Sequence, residues 1–203
     1  MKILSHRGYW LEKNEKNTVE AFTRSFELGF GTETDVRDRL GELVISHDPA
    51  SSSSITLEQY LSIVGNRDLP QAINVKADGL AEPLKQAFEG KGLDWFVFDM
   101  SIPDMKMHIK AGNPVFARMS EVEQTAPWND AVSGIWLDSF DGQWYSNQTI
   151  VDLLARGLRV CVVSPELHGR PHREMWESLK SIGGYDRLMI CTDFPEDCRQ
   201  FFG

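Results

Sequence analysis

Glu33 and Asp35 stand two positions apart within the short run 31–36. In an extended segment, positions i and i+2 face the same side. Two carboxylates on one face repel unless a proton or a cation joins them, and an all-oxygen pair suits a hard divalent ion. A pair of salt-bridged acids fits the same spacing. His6 and His47 add groups that exchange protons near neutral pH, and each has a charged neighbour suited to anchoring, Arg7 and Asp48. Taken singly, either ring reads equally as a structural histidine. Arg7 and Lys76 lie at the ends of apolar runs. Cations there either neutralise the acids or hold a phosphate, for which Arg offers two parallel hydrogen bonds.

Positioning such groups requires a rigid frame. Eight short apolar runs recur, at 2–8, 31–36, 72–77, 95–101, 114–120, 134–140, 159–166 and 188–194. Each ends on polar residues, the pattern of strands buried on both faces. Helical patterns lie between them, at 18–29, 56–65, 81–90, 103–112, 146–157, 171–183 and 195–202, most with Gly at or just past the end. Thr56 and Gln59 make a capping-box signature. Residues 121–131 read as a weak helix interrupted by Pro127, and an inserted β run lies within 38–54. The alternation predicts an α/β fold, a compact single-domain (β/α)8 TIM barrel over residues 1–203. An open doubly wound sheet ranks second, because no Gly-rich phosphate loop follows the first run. In such barrels the chemistry gathers at the C-terminal strand ends. Those ends carry His6 and Arg7, Glu33 and Asp35, Asn74 and Lys76, Asp99 and Ser101, Arg118, Asp138, Ser164 and Glu166, and Thr192 and Asp193.

Composition narrows the function. The 203 residues hold 30 acids against 21 bases, a formal net charge of -9. That balance argues against a nucleic-acid partner, which needs a basic footprint, and leaves room for a small anionic ligand. No apolar run reaches the roughly 18 residues of a transmembrane segment. The opening MKILSHRGYW turns polar after four residues, so no signal peptide is expected. Cys161 and Cys191 sit in apolar runs and read as buried thiols of a reducing, cytoplasmic setting. His168 and His172 are four apart, but Gly169 and Pro171 break the helix between them, so zinc is discounted. His108, between Lys106 and Lys110, reads as part of a solvated helix face. Trp95, Trp136 and Trp176 read as core or as sheet–helix interface. Trp10 and Trp144 follow strand ends and read equally as loop packing or as a stacking wall for substrate.

The order and spacing of several motifs carry a resemblance. They are His6-Arg7-Gly8, Lys16-Asn17-Thr18, Ala21-Phe22, Glu33-Thr34-Asp35 and His47-Asp48, with a weaker echo in Cys191-Thr192-Asp193-Phe194-Pro195. Over residues 4–49 the chain resembles the N-terminal signature of the glycerophosphodiester phosphodiesterase family, a group of phosphatidylinositol-phospholipase-C-like barrels. The resemblance implies a (β/α)8 barrel binding one Mg²⁺ or Ca²⁺. It implies His6 and His47 as the acid/base pair, Glu33 and Asp35 as metal ligands, Arg7 on the phosphate, and Asn17 capping the first helix and orienting the site around His6. Two departures mark a divergent member. The third strand carries Asn74-Val75-Lys76 where the family has Glu-x-Lys, so a weaker carbonyl ligand replaces a carboxylate unless Asp99 or Asp138 substitutes. The seventh strand ends in Ser164-Pro165-Glu166-Leu167-His168-Gly169-Arg170 where the family often has Trp-Thr-x-Asn.

These parts fit metal-assisted cleavage of a small-molecule phosphodiester. Arg7 and Lys76 would bind phosphate oxygens, one histidine would take the proton of the attacking hydroxyl, and the other would protonate the leaving alkoxide. A phospholipid headgroup or a phosphoglycerol-decorated saccharide is the expected substrate. The alternatives are a lyase that releases a cyclic phosphate and a phosphate- or saccharide-binding barrel with an impaired site.

Overall fold

The computed structural model describes residues 1–182 and 186–203. Its strands are β1 (Lys2–His6), β2 (Gly31–Arg39), β3 (Glu42–Ile45), β4 (Gln71–Val75), β5 (Trp95–Phe98), β6 (Phe116–Met119), β7 (Gly134–Leu137), β8 (Arg159–Val163) and β9 (Leu188–Thr192). The helices are α1 (Val19–Glu27), α2 (Leu57–Val64), α3 (Ala81–Phe88), α4 (Ile102–Ala111), α5 (Asn147–Ala155), α6 (Arg173–Lys180) and α7 (Pro195–Phe202). The strand order β5-β4-β2-β1-β9-β8-β7-β6 is parallel throughout. The ring closes between β5 and β6 through the Val97–Val115 bridge. The inserted run forms β3, antiparallel on the outer end of β2. The architecture is a (β/α)8 barrel, and the open-sheet alternative falls because the two sheet ends meet.

Local chemistry accounts for the helices. Thr18 caps α1 through Ala21 N, Thr56 and Gln59 close the expected capping box on α2, and Ser146 caps α5. Gly112 ends α4 in the left-handed conformation. Outside the ring, helix faces and the outward strand residues bury Phe22, Tyr60, Leu84, Leu154 and Trp176 among others. Inside it, Leu4, Ala72, Phe96, Phe98, Phe116, Trp136, Cys161, Val163, Met189 and Cys191 form a second apolar cluster. Phe96 stacks on Phe116 at 3.7 Å and Phe98 on Trp136 at 3.8 Å between ring centroids, so the interior is plugged.

Three expectations change. Residues 121–131 form no helix; the chain turns through a Ser120–Glu123 bridge, and Pro127 interrupts any helical ladder there. His108 is fully buried rather than solvated, bonded to Asn113 Nδ2 at 3.0 Å and 3.3 Å from Asp104 Oδ2. Thr18, not Asn17, caps the first helix. The expected stop of the sixth helix at Gly183 lies outside the described residues.

Candidate active site

The apolar plug sets the floor of the site, and the two-residue period of each strand sets its walls. Two residues beyond Leu4 stands His6; beyond Ala72, Asn74 and then Lys76; beyond Phe116, Arg118; beyond Trp136, Asp138; beyond Cys191, Asp193. On β2 the same face is Gly31, Glu33, Asp35. Asp99 follows Phe98 directly, and its φ of 68° breaks the alternation at the end of β5. Register places His6 beside Glu33 and Asp35 beside Asn74.

Asp35 is fully buried and is the hub. Its Oδ2 lies 2.9 Å from Arg7 Nε and accepts from Asn17 Nδ2 at 2.8 Å, while its Oδ1 lies 3.2 Å from Lys76 Nζ. Asn17 also accepts from Thr34 Oγ1 at 2.9 Å. Asn17 therefore orients the acid hub from a left-handed backbone with φ 60°, and Arg7 adopts φ 61°. Lys76 has a second partner, Asp99 Oδ2, at 4.0 Å. Asp99 in turn meets Arg118 at 2.6 Å, and Arg118 meets Glu123 at 2.7 Å.

Glu33 is 2% exposed. Its Oε2 accepts from Arg7 N at 3.2 Å and stands 3.9 Å from His6 Nε2. Burial, and then the neighbouring Asp35 charge, push the Glu33 carboxyl up to about 8. His6 Nδ1 donates to Asp193 Oδ1 at 2.7 Å. Burial lowers the His6 pKa despite that carboxylate, so the ring is held neutral with Nε2 as its lone-pair nitrogen.

Gly8 follows the His-Arg pair with φ 81°, and a Cβ there would lie 2.8 Å from Ala21 Cβ. Its N–H donates to Thr32 Oγ1 at 3.0 Å. Gly8→Ala should therefore destabilise the fold by about 1–3 kcal/mol, through both the left-handed backbone and the close contact. Thermal unfolding by circular dichroism checks it; an unchanged Tm would contradict this account.

The remaining expected residues sit on the rim. Ser46 N donates to Asp35 O at 3.0 Å, bringing the β3 end to the mouth. His47, the next residue, has a side chain 47% exposed, and its Nδ1 pairs with Asp48 Oδ1 at 2.9 Å. Among the described residues it bonds to no other site residue. Asp138 takes His168 Nε2 at 2.7 Å and Ser139 N at 2.8 Å on Oδ1. That hydrogen bond raises the His168 pKa. Strand order sets Asp138 on β7 four strands from β2, directly across the ring from Glu33 and Asp35. The two rim tryptophans anchor to strand-end carbonyls: Trp10 Nε1 donates to His6 O at 3.1 Å and Trp144 Nε1 to Asp138 O at 2.7 Å. Trp10 also lines a cleft of about 210 Å³ with Tyr9, Leu11, Asp193 and Phe194. Sequence reasoning assigned no role to Asp193 as the partner of His6; the available signal was its place two residues past Cys191 on the last apolar run.

Among the described residues no three His, Cys, Asp or Glu side chains converge as a ready metal cluster. The oxygen donors nevertheless fit one hard cation. Asn74 Oδ1 is buried without a hydrogen-bond partner, and Asp35 Oδ1, in register on the adjacent strand, is buried with Lys76 Nζ at 3.2 Å as its ion-pair partner. A divalent ion there would relieve the Glu33–Asp35 repulsion, and Lys76 has Asp99 as an alternative partner.

A parallel barrel with its ionisable residues ringed above an apolar plug is a catalytic or ligand-binding architecture. Among solved structures, this fold is that of glycerophosphodiester phosphodiesterases. The chain aligns over 98% of its length, and 99% of the other, with the glycerophosphodiester phosphodiesterase of Agrobacterium tumefaciens, at TM-score 0.70 and 17% identity. A glycerophosphoryl diester phosphodiesterase from Parabacteroides distasonis gives TM-score 0.71 and 12% identity over 98% of this chain and 85% of that one. A candidate glycerophosphodiester phosphodiesterase from Galdieria sulphuraria gives 0.75 and 16% over 99% and 97%. No family model and no curated protein matches the sequence. No helix among the described residues is long and apolar enough to cross a membrane.

Proposed function

We propose that the chain is a metal-dependent phosphoric diester hydrolase acting on a glycerophosphodiester-like small molecule. The observation that carries the reading is one inward rung of the barrel. It sets the His6–Asp193 pair beside Glu33 and Asp35, with Arg7 and Lys76 at the same carboxylate. The likeness in fold to glycerophosphodiester phosphodiesterases supports the same reading.

Glu33, Asp35 and the Asn74 carbonyl would hold one Mg²⁺ or Ca²⁺. When bound, such an ion supplies Lewis-acid polarisation of a phosphoryl oxygen. Arg7 and Lys76, both held at Asp35, bind the phosphate oxygens. His6 Nε2, unprotonated and oriented from behind by Asp193, takes a proton from the attacking water as its oxygen bonds to phosphorus. His47, half-exposed on the rim, is the second histidine and serves as the proton donor to the leaving alkoxide. Trp10 and Trp144 form the walls flanking the alcohol groups.

Phosphorus NMR of glycerophosphocholine and glycerophosphoglycerol with Mg²⁺, Ca²⁺ or EDTA tests this reading. Turnover should be present with metal and fall at least about tenfold in EDTA, since Asn74 makes a site of modest affinity. Full activity in EDTA would remove the metal. No turnover of either diester under any condition would remove the hydrolase, and a transient cyclic-phosphate signal would replace it with a lyase.

A further inference from the structure

The segment Ser164–Arg170, where the sequence departs from the family pattern, has no part in the chemistry above, yet it carries a buried carboxylate. The Glu166 side chain is 7% exposed, and its one ion-pair contact among the described residues is His172 Nδ1 at 3.7 Å. Burying an ionised carboxylate is costly unless its lone pairs are met. Here they are met by neutral donors from two strand ends. Glu166 Oε1 accepts from Thr192 Oγ1 and from Asp193 N, the latter at 3.2 Å. Glu166 Oε2 accepts from Ser164 Oγ.

The polarity of this network is fixed from outside. Trp176 Nε1 donates to Ser164 Oγ at 2.8 Å, and Phe194 N donates to Thr192 Oγ1 at 3.0 Å. Each hydroxyl thus already accepts an N–H and directs its own proton at Glu166. Three donors converge on the two oxygens, so the position calls for an acceptor-only group, which a carboxylate is and an amide is not. The residue held most directly is Asp193. Glu166 fixes its backbone N–H, and the Asp193 carboxylate fixes His6 Nδ1 at 2.7 Å.

We propose that Glu166 is a positioning residue for His6, acting through Asp193, and that the Ser164-Pro165-Glu166 turn is this chain's own means of orienting that histidine. The kinetic side of this inference rests on the hydrolase reading; the geometric side does not. Groups behind a first contact commonly matter by about ten- to hundredfold when removed.

The test uses Glu166→Gln, Asp193→Asn and their combination. In NMR of the ¹⁵N-histidine-labelled protein, the His6 Nδ1–H proton, assigned by its loss in His6→Ala, should lie far downfield. It should move upfield or broaden in Glu166→Gln and vanish in Asp193→Asn. On a glycerophosphodiester, Glu166→Gln should lower kcat about tenfold with KM within about twofold. In the Asp193→Asn background the same change should cost less than about twofold, because the two residues act as one unit. Thr192→Val removes one donor to Glu166 and keeps the carboxylate; it should shift the same resonance in the same direction by less, and it serves if Glu166→Gln does not fold. An unmoved His6 resonance in the folded variants would overturn the proposal, as would additive losses in the double variant. Absence of turnover in the wild type would overturn the hydrolase reading alone, with the resonance still deciding the positioning role.

Discussion

His6→Ala should lower kcat on a glycerophosphodiester by about 10²–10⁴, the usual worth of one positioned acid–base group, while KM changes by less than about threefold. The asymmetry follows from which contacts the change removes. In the proposed reading phosphate binding falls to Arg7 and Lys76, whose positions are set by Asp35, not by the imidazole. What disappears is a ring with one nitrogen tied to Asp193 and the other aimed toward Glu33 at 3.9 Å. Burial keeps that ring neutral, which is the state a general base needs. The fold should tolerate the change, because His6 ends β1 and its side chain is 14% exposed. The measurement is steady-state kinetics beside a circular-dichroism melt. A variant that kept a third of the wild-type kcat would remove His6 from the chemistry.

The barrel was legible because its strands are buried on both faces. Each apolar run therefore stopped abruptly at the polar residues that now ring the mouth, and the step of two from Leu4 to His6 or from Trp136 to Asp138 was readable residue by residue. The Glu33–Asp35 pair was legible for the same reason. Contacts that depend on ring closure were not. His6 and Asp193 are 187 positions apart and meet only because β9 pairs with β1. Helix faces were harder where a polar residue pointed inward. His108 lies between two lysines in sequence, but it shares the inner face of α4 with Asp104 and Met105, and its polarity is met by Asn113 and Asp104. For Asn17 the sequence allows both a cap and a site role, because the two favour the same residue type. Thr18 took the cap, which freed the Asn17 amide for Asp35 and Thr34. Glu166 stood out only as an acid at a strand end. That it accepts three donors depends on two strands and the turn between β8 and α6, which no local pattern encodes.

Asp35→Ala should be the most damaging single change to both stability and turnover. The residue is fully buried, and removing it leaves Arg7 and Lys76, at 21% and 19% side-chain exposure, facing each other with no shared anion. Breaking a buried pair by deleting one partner costs about 3–5 kcal/mol. For a chain of this size, each kcal/mol lowers Tm by roughly 2–4 °C, so a fall of about 10 °C is expected. Asn17 would also lose the acceptor for its Nδ2, loosening the loop that leads into α1. Glu33→Gln provides the contrast two residues away on the same strand face. The Glu33 carboxyl is pushed up to about 8 by burial and by Asp35, so near neutral pH its ionised form is the disfavoured one in the fold. Making that position permanently neutral relieves repulsion instead of orphaning a cation, so its Tm should stay within about 2 °C of wild type. Turnover should fall in both variants, since Asp35→Ala removes an oxygen donor of the proposed metal site and Glu33→Gln replaces a carboxylate donor with a weaker amide carbonyl. The two melts thus separate a carboxylate that organises the site's cations from one kept under electrostatic stress. Equal Tm losses in the two variants would mean that the Arg7–Asp35–Lys76 cluster does not hold the mouth together.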